Sequence, residues 1–385
     1  MASPRWHGAL AVLTEMRRTP GTTRAAVAQR LGLSSGSATD ITARLRELEL
    51  LTETPAAAIG RGRPTTVLTP HPDGPVVIAV DLRHEDWRCA VAGLDGRPTV
   101  LETAPHASHE PEQVLDVVAR AVGRAHARYT DRVRAVAVAA AATVRDGRVV
   151  QASTLGWGPV DLTPLGLPGV PLRIDNDATL AGVAEARGGA GAGAGTALHV
   201  TVEVGVGGTL VVDGQPVRGA TGAGGEFGHL PFGDRTLRCP CGALGCWDLT
   251  VDGRALARHL GEPPPFDPRT YAKAVLDRTD PAARTAVARA VSSLGTGIAG
   301  LVNALDPEVV TLGGLAAPLR AAAETAFTTA FTDGLMTFRR PTPPPLRAAA
   351  LGDDAALHGA AATGLDAVLT EESLSAWARL RGAGH

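Results

Sequence analysis

Lysine is nearly absent from this chain: Lys273 stands alone among 37 basic residues. Alanine, glycine, proline and arginine abound, a compositional bias that gives little weight to any single choice of arginine over lysine. No charge of one sign dominates. The formal net charge is −2, so no global field points to nucleic acid or a membrane surface. No apolar run has the length of a membrane span, and the N-terminus lacks a charged-then-apolar signal pattern. These absences predict a cytoplasmic protein with no membrane partner. Cysteine is scarce as well, with four in 385 residues. In a reducing compartment, clustered thiols are metal ligands rather than disulfides.

What is present is unevenly placed. The length suits two or three domains rather than one core. Residues 1–70 hold nine arginines and five acids, a balance of +4, whereas the remainder is acidic. A small basic head on an acidic body suggests a nucleic-acid module joined to something else. "GALAVLTEMRR" (8–18) has apolar positions at helical spacing, and "TPG" ends it. Thr22 or Thr23 caps a second helix, "GLSS" turns, and a third helix places Ile41, Leu45 and Leu48 on one face. Its other face carries Ser35, Ser37, Thr39, Asp40 and Arg44, the candidate base and phosphate contacts of a helix-turn-helix. Asp40 is unusual there: it accepts from cytosine N4, points to solvent, or pairs with Arg44. Two β-prone stretches then flank "AIGRGRP", a wing whose tip offers Arg61 and Arg63 to a narrow minor groove. A helical dimerisation head with a solvated hairpin is the alternative.

"HPDG" (71–74) marks a linker, dividing a head at 1–72 from a body at 73–385. In the body, strands and helices alternate, which predicts an α/β fold. Early and late halves each supply a hairpin, helices and a Gly-marked strand end. Two similar lobes with a cleft between them is the economical expectation.

"GHLPFGDRTLRCPCGALGCWD" (228–248) holds three of the four cysteines and a histidine. His229, Cys239, Cys241 and Cys246 are one imidazole and three thiols spaced H-x9-C-x-C-x4-C, a closed set that suits structural Zn²⁺. Small buried cysteines in a Gly-rich turn are the alternative. Cys89, alone in a predicted strand, reads as a core residue.

Four stretches together resemble the ROK family of repressors and sugar kinases: "RIDNDATLAGVAEA" (173–186), "GAGGEFGHLPF" (222–232), "CPCGALGCWD" (239–248) and "LVNALDPEVVTLGG" (301–314). With the winged head, the chain is similar to the repressor branch. The resemblance implies a two-lobed, actin-like sugar-kinase body carrying one structural Zn²⁺ in a loop at 229–246. It also implies that Asn176, Asp177, Glu226, His229 and Asp248 contact a sugar or sugar derivative. The matching acid in ROK kinases is the general base at Asp177 and usually a Glu at 248, so Asp248 has a shorter arm and predicts an atypical effector. As a pair opening a helix, Asn176 and Asp177 also read as a cap.

The phosphate-binding parts of a ROK kinase are degraded. Its Asp-x-Gly-Gly-Thr turn reads "DLRHE", with Arg83, His84 and Glu85 in place of Gly, Gly and Thr. Its Gly-Thr-Gly turn reads Glu203-Val204-Gly205. Bulky side chains block backbone approach to phosphates, added acids repel them, and Glu85 is positioned to neutralise Arg83. The expectation is therefore no enzyme. It is a DNA-binding transcriptional regulator, a repressor, acting as a homodimer or dimer of dimers on a palindromic operator and answering to a sugar effector. An active ATP-dependent sugar kinase with an appended head is the alternative, and a sensing protein without DNA binding is a third.

Overall fold

The computed structural model describes residues 4–56 and 66–382. The head opens with three helices, α1 (Pro4–Arg18), α2 (Arg24–Arg30) and α3 (Ser35–Glu47). Thr23 caps α2 by accepting from the Ala26 amide, and Ser34 caps α3 by accepting from the Ser37 amide. Strands β1 (Leu51–Pro55) and β2 (Thr66–Pro70) follow as an antiparallel pair. They are the stems of the expected wing. Its tip, with Arg61 and Arg63, lies outside the described residues.

The first lobe comprises β3 (Val76–Leu82), β4 (Asp86–Ala92), β5 (Pro98–Pro105), α4 (Pro111–Tyr129), β6 (Val133–Ala140), a small β7 (Thr143–Arg145) and β8 (Arg148–Gln151) hairpin, β9 (Leu172–Asn176) and α5 (Asp177–Gly188). Its sheet runs β5-β4-β3-β6-β9, with β3, β6 and β9 parallel and β4 and β5 antiparallel. The run "VVIAVDL" of β3 is buried throughout, as a central strand covered on both faces requires.

The second lobe repeats the plan. It comprises β10 (Thr196–Val202), β11 (Val206–Val212), β12 (Gln215–Pro216), α6 (Gly253–Leu260), α7 (Pro268–Leu276), α8 (Pro281–Leu305), β13 (Val309–Gly314), α9 (Ala316–Ala322), α10 (Glu324–Gly334) and β14 (Leu346–Ala348). The sheet runs β12-β11-β10-β13-β14, again with three parallel strands and an antiparallel hairpin. The two similar lobes expected from the sequence are present. By length and hydropathy α8 would pass for a membrane span. Much of it is buried in the core of this lobe, among Leu198, Trp247, Val310 and Phe331.

The chain closes with α11 (Ala355–Val368) and α12 (Glu371–Leu380). They return to the first lobe, and this return sets where the head sits. One hydrophobic core joins Val12, Leu13, Leu45 and Leu48 of the head to Val77 and Ala137 of the first sheet, Leu365 of α11 and Trp377 of α12. Arg17 of α1 donates to the Ala362 carbonyl and pairs with Asp366 at 3.3 Å. Arg381, just past α12, pairs with Glu49 at 3.0 Å. The head is docked on the body, beyond its linker at residues 71–74.

Candidate functional site

The parallel strands of both lobes end on one cleft, the place where open α/β sheets bind ligands. Asp81 is the penultimate residue of β3, Asn176 ends β9, and Gly313 and Gly314 end β13. All four line a cavity of about 170 Å³, together with Asp177, Glu203, Glu226, His229 and Asp248. Asn176 caps α5, its Oδ1 accepting from the Thr179 amide at 2.9 Å, while its Nδ2 donates to the Ala142 carbonyl. Capping and cleft exposure coincide at Asn176. Asp177 Oδ1 accepts from the Ala178 amide at 2.8 Å. Burial, helped by the charge of Asp81, pushes the Asp177 carboxyl up to about 7.

Glu226 precedes a single turn of 3-10 helix, Phe227–His229. The turn leaves Glu226 Oε2 at 3.7 Å from His229 Nε2. The other imidazole nitrogen, Nδ1, faces Cys239 Sγ at 3.8 Å, and Cys241 Sγ lies 3.6 Å from Cys246 Sγ. All four candidate ligand atoms lie within 4.8 Å of one another. Tetrahedral Zn²⁺ with Zn–S near 2.3 Å and Zn–N near 2.0 Å sets its ligands about 3.5–3.8 Å apart. The residues fit that ion. Burial raises the thiols of Cys239 and Cys246, so a cation is what would favour their thiolate forms. His229 then has one nitrogen toward the metal loop and the other toward Glu226.

Asp248 is buried and committed inward. Its Oδ1 accepts from the Val206 amide at 2.6 Å, and its Oδ2 is 3.7 Å from His229 Nδ1. Gly228 makes this possible: a Cβ there would lie 2.0 Å from Asp248 Oδ1.

The other half of the cleft is filled with ion pairs. Arg83 binds Asp86 through two contacts, of 2.6 and 2.5 Å. Asp86, and not the Glu85 expected from the sequence, is therefore the partner of Arg83. Leu82 pairs with Trp87 across the β3–β4 hairpin, so Arg83 and Asp86 face each other beside the turn, whereas Glu85 is at its tip. Asp81 is 1% exposed and binds Arg88 at 2.7 Å, and burial raises its carboxyl. Glu203 pairs with Arg269 at 2.6 Å, yet burial pushes it up to about 7. Arg269 also holds Asp353 at 2.6 Å. Arg88, Arg269 and Asp353 carry no motif and were missed in the sequence; nothing short of the fold brings them together. His199, at the cleft floor, is kept neutral by burial, its proton affinity pulled down to about 4, and meets Thr311 at 2.8 Å. Cys89 is buried in the first lobe as expected, its thiol pushed up to about 12 by burial.

In the head, Ser35, Ser37, Thr39 and Asp40 are exposed along α3. Arg44, one turn on from Asp40, is half-buried, its guanidinium 4.7 Å from the centre of the Trp6 ring.

The ROK family profile matches residues 77–366. A glucokinase of Streptomyces coelicolor is 29% identical over 261 residues, covering 62% of this chain and 81% of the relative. Among solved structures, a ROK family glucokinase of Streptomyces griseus, in complex with glucose and AMPPNP, covers 76% of this chain and 99% of its own at 26% identity and TM-score 0.64. A ROK family transcriptional regulator, a homologue of the Escherichia coli Mlc protein, covers 96% of this chain and 97% of its own at 23% identity and TM-score 0.74. The last likeness extends the shared fold over the head as well as the body. A winged head, two lobes of one plan, and a histidine–cysteine loop beside the cleft all sit within this one architecture, and the chain belongs to the ROK family.

Proposed function

We propose that the protein is a DNA-binding transcriptional regulator, a repressor, whose cleft binds a sugar or sugar derivative and thereby changes operator affinity. The observation that carries this reading is the course of α11. It begins beside the cleft, where Asp353 and Asp354 pair with Arg269 and Arg88, and its Asp366 meets Arg17 of the head. A ligand that moves one lobe against the other would shift a rigid rod about 20 Å long whose far end holds the head. Asn176, Asp177, Glu226, His229 and Asp248 are the proposed effector contacts. Carboxylates accept from vicinal hydroxyls, and Zn²⁺ held by His229, Cys239, Cys241 and Cys246 would fix the loop that presents Glu226.

A homodimer, or a dimer of dimers, places two heads on a palindromic operator. Ser35, Ser37, Thr39, Asp40 and Arg44 of the recognition helix are the proposed DNA contacts, with Arg61 and Arg63 of the wing. The test is fluorescence anisotropy on operator DNA with and without sugars. Changing Arg61 and Arg63 to Ala should weaken binding and flatten its salt dependence by about one unit of slope per lost phosphate contact. Unchanged affinity and slope would remove the wing from the interface.

One observation favours a second reading, an active sugar kinase. Asp177 keeps the position of a general base, and burial brings its proton affinity close to neutrality, where such a base works well. Against it, Arg83 and Glu203 occupy the phosphate turns with their own partners.

A further inference from the structure

A second cavity, of about 600 Å³, lies away from the cleft, where β6 and β9 of the first lobe meet α11 and α12. Its chemistry is opposite to that of the cleft. Arg134, Arg173 and Arg218 line it, together with the hydroxyl residues Thr363, Thr370 and Ser373. Arg218 is paired with Asp175. The side chains of Arg134 and Arg173 have neither an ion pair nor a hydrogen bond among the described residues. Two acids also line the cavity, Asp366 and Glu372. Asp366 is already held by Arg17 at 3.3 Å and by Arg187 at 2.8 Å. Glu372 alone is left against two unpaired guanidiniums, so the cavity has uncompensated positive charge.

Thr370 caps α12 by accepting from the Ser373 amide at 3.1 Å, and Glu371 and Glu372 in the first turn offset the positive end of this ten-residue helix. Two unpaired guanidiniums lining one cavity suit a phosphate group, whose oxygens accept several charged hydrogen bonds at once. We propose that this cavity is a second ligand site, binding a small phosphate-bearing anion through Arg134 and Arg173. Its source is either free phosphate or a phosphorylated metabolite. The acidic cleft is unsuited to either: Asp81, Glu85, Asp177, Glu203, Glu226, Asp248 and Asp353 outnumber Arg83 and Arg269 there.

The position gives such a ligand a consequence. The segment from Asp366 to Ala376 lines the cavity, while Asp366 and Trp377 hold the head. An anion bound here would fix the α11–α12 junction and so the seating of the head.

The test is calorimetry and thermal unfolding of the full-length protein in chloride, then in inorganic phosphate and in glucose 6-phosphate at matched ionic strength. Wild type should show a Tm gain of about 2–3 °C at saturating phosphate ligand. The Arg134→Ala/Arg173→Ala variant should lose it, with at least about tenfold weaker binding by calorimetry. The single variant Arg173→Ala, at an exposed position, should lose part of the gain while unfolding as wild type does in chloride. A larger gain with glucose 6-phosphate than with phosphate identifies a metabolite; equal gains identify the inorganic ion. No gain in wild type, or an equal gain in all three proteins, overturns the site. So does a double variant that loses operator affinity but keeps the phosphate gain, since the arginines would then serve DNA.

Discussion

The Trp377 indole donates to the Leu48 carbonyl at 2.7 Å, across 329 positions of sequence. Trp377 is 1% exposed, and Leu48 follows α3 directly. α12 therefore supports α3, the proposed DNA-reading element. Trp377→Ala should cost about 3–5 kcal/mol, because it empties a large packed site. Trp377→Phe should cost about 1–2 kcal/mol, since it keeps most of the volume but leaves a buried carbonyl without its donor. Denaturant titration measures both. On our reading of α11, the Ala variant also separates the two functions: sugar binding should persist while operator affinity stops responding to it. An Ala variant as stable as wild type would mean that α12 does not hold the head.

The metal loop gives the second prediction. Purified protein should contain one zinc per chain by elemental analysis, and chelation should lower its Tm, because metal binding is coupled to folding of the loop. Cys241→Ser should do the same and should abolish sugar binding, since Glu226 and His229 rest on that loop at 3.7 Å from each other. Zinc-free protein with unchanged sugar affinity would sink the proposed link between metal and cleft.

The sequence made these local units legible because each is specified by neighbours in the chain. The caps at Thr23 and Ser34, the alternation of strands and helices, and the H-x9-C-x-C-x4-C loop are all short-range patterns. What stayed hidden depends on contacts between distant segments. Arg269 shows no pattern in "PRTYAKAVL", yet the fold sets it between Glu203 and Asp353. The docking of α12 under the head likewise joins the two ends of the chain. At Arg83 the register of a hairpin, rather than spacing along the chain, chose Asp86 as partner over Glu85.

Asp177 provides a prediction in pH. Its carboxyl is raised from 3.8 to about 7 in the folded protein, mainly by burial. Below about pH 4 both folded and unfolded states hold the proton, and the group has no effect on stability. Between about pH 4 and 7 the unfolded chain loses the proton while the folded protein keeps it, so stability falls as pH rises. Above about pH 7 the penalty is constant. Asp177→Asn removes it, and the variant should be more stable than wild type at pH 8 by a few kcal/mol, on the order of what such a shift carries. At pH 4 the two should unfold alike. Equal stability at both pH values would mean that Asp177 is solvated in the folded state.

The same residue decides between regulator and kinase, and we expect no sugar phosphorylation. A positioned base contributes about a hundred- to ten-thousandfold. Useful phosphoryl transfer also needs the γ-phosphate held in line with its charge neutralised. Arg83 is the one group that could bind phosphate by itself, but both contacts of its guanidinium fork are spent on Asp86 at 2.6 and 2.5 Å. Releasing it would strand a half-buried carboxylate. Glu203, in the second phosphate turn, adds negative charge where the nucleotide would bring more, and its partner Arg269 is shared with Asp353. The measurement is ADP release with ATP, Mg²⁺ and a sugar that binds, compared with Asp177→Ala. No turnover in either protein, together with weaker sugar binding in the variant, makes Asp177 a sensing residue. Turnover near about one per second, which typical enzymes reach, that vanishes in the variant would make this protein an enzyme and overturn the regulator reading of its cleft.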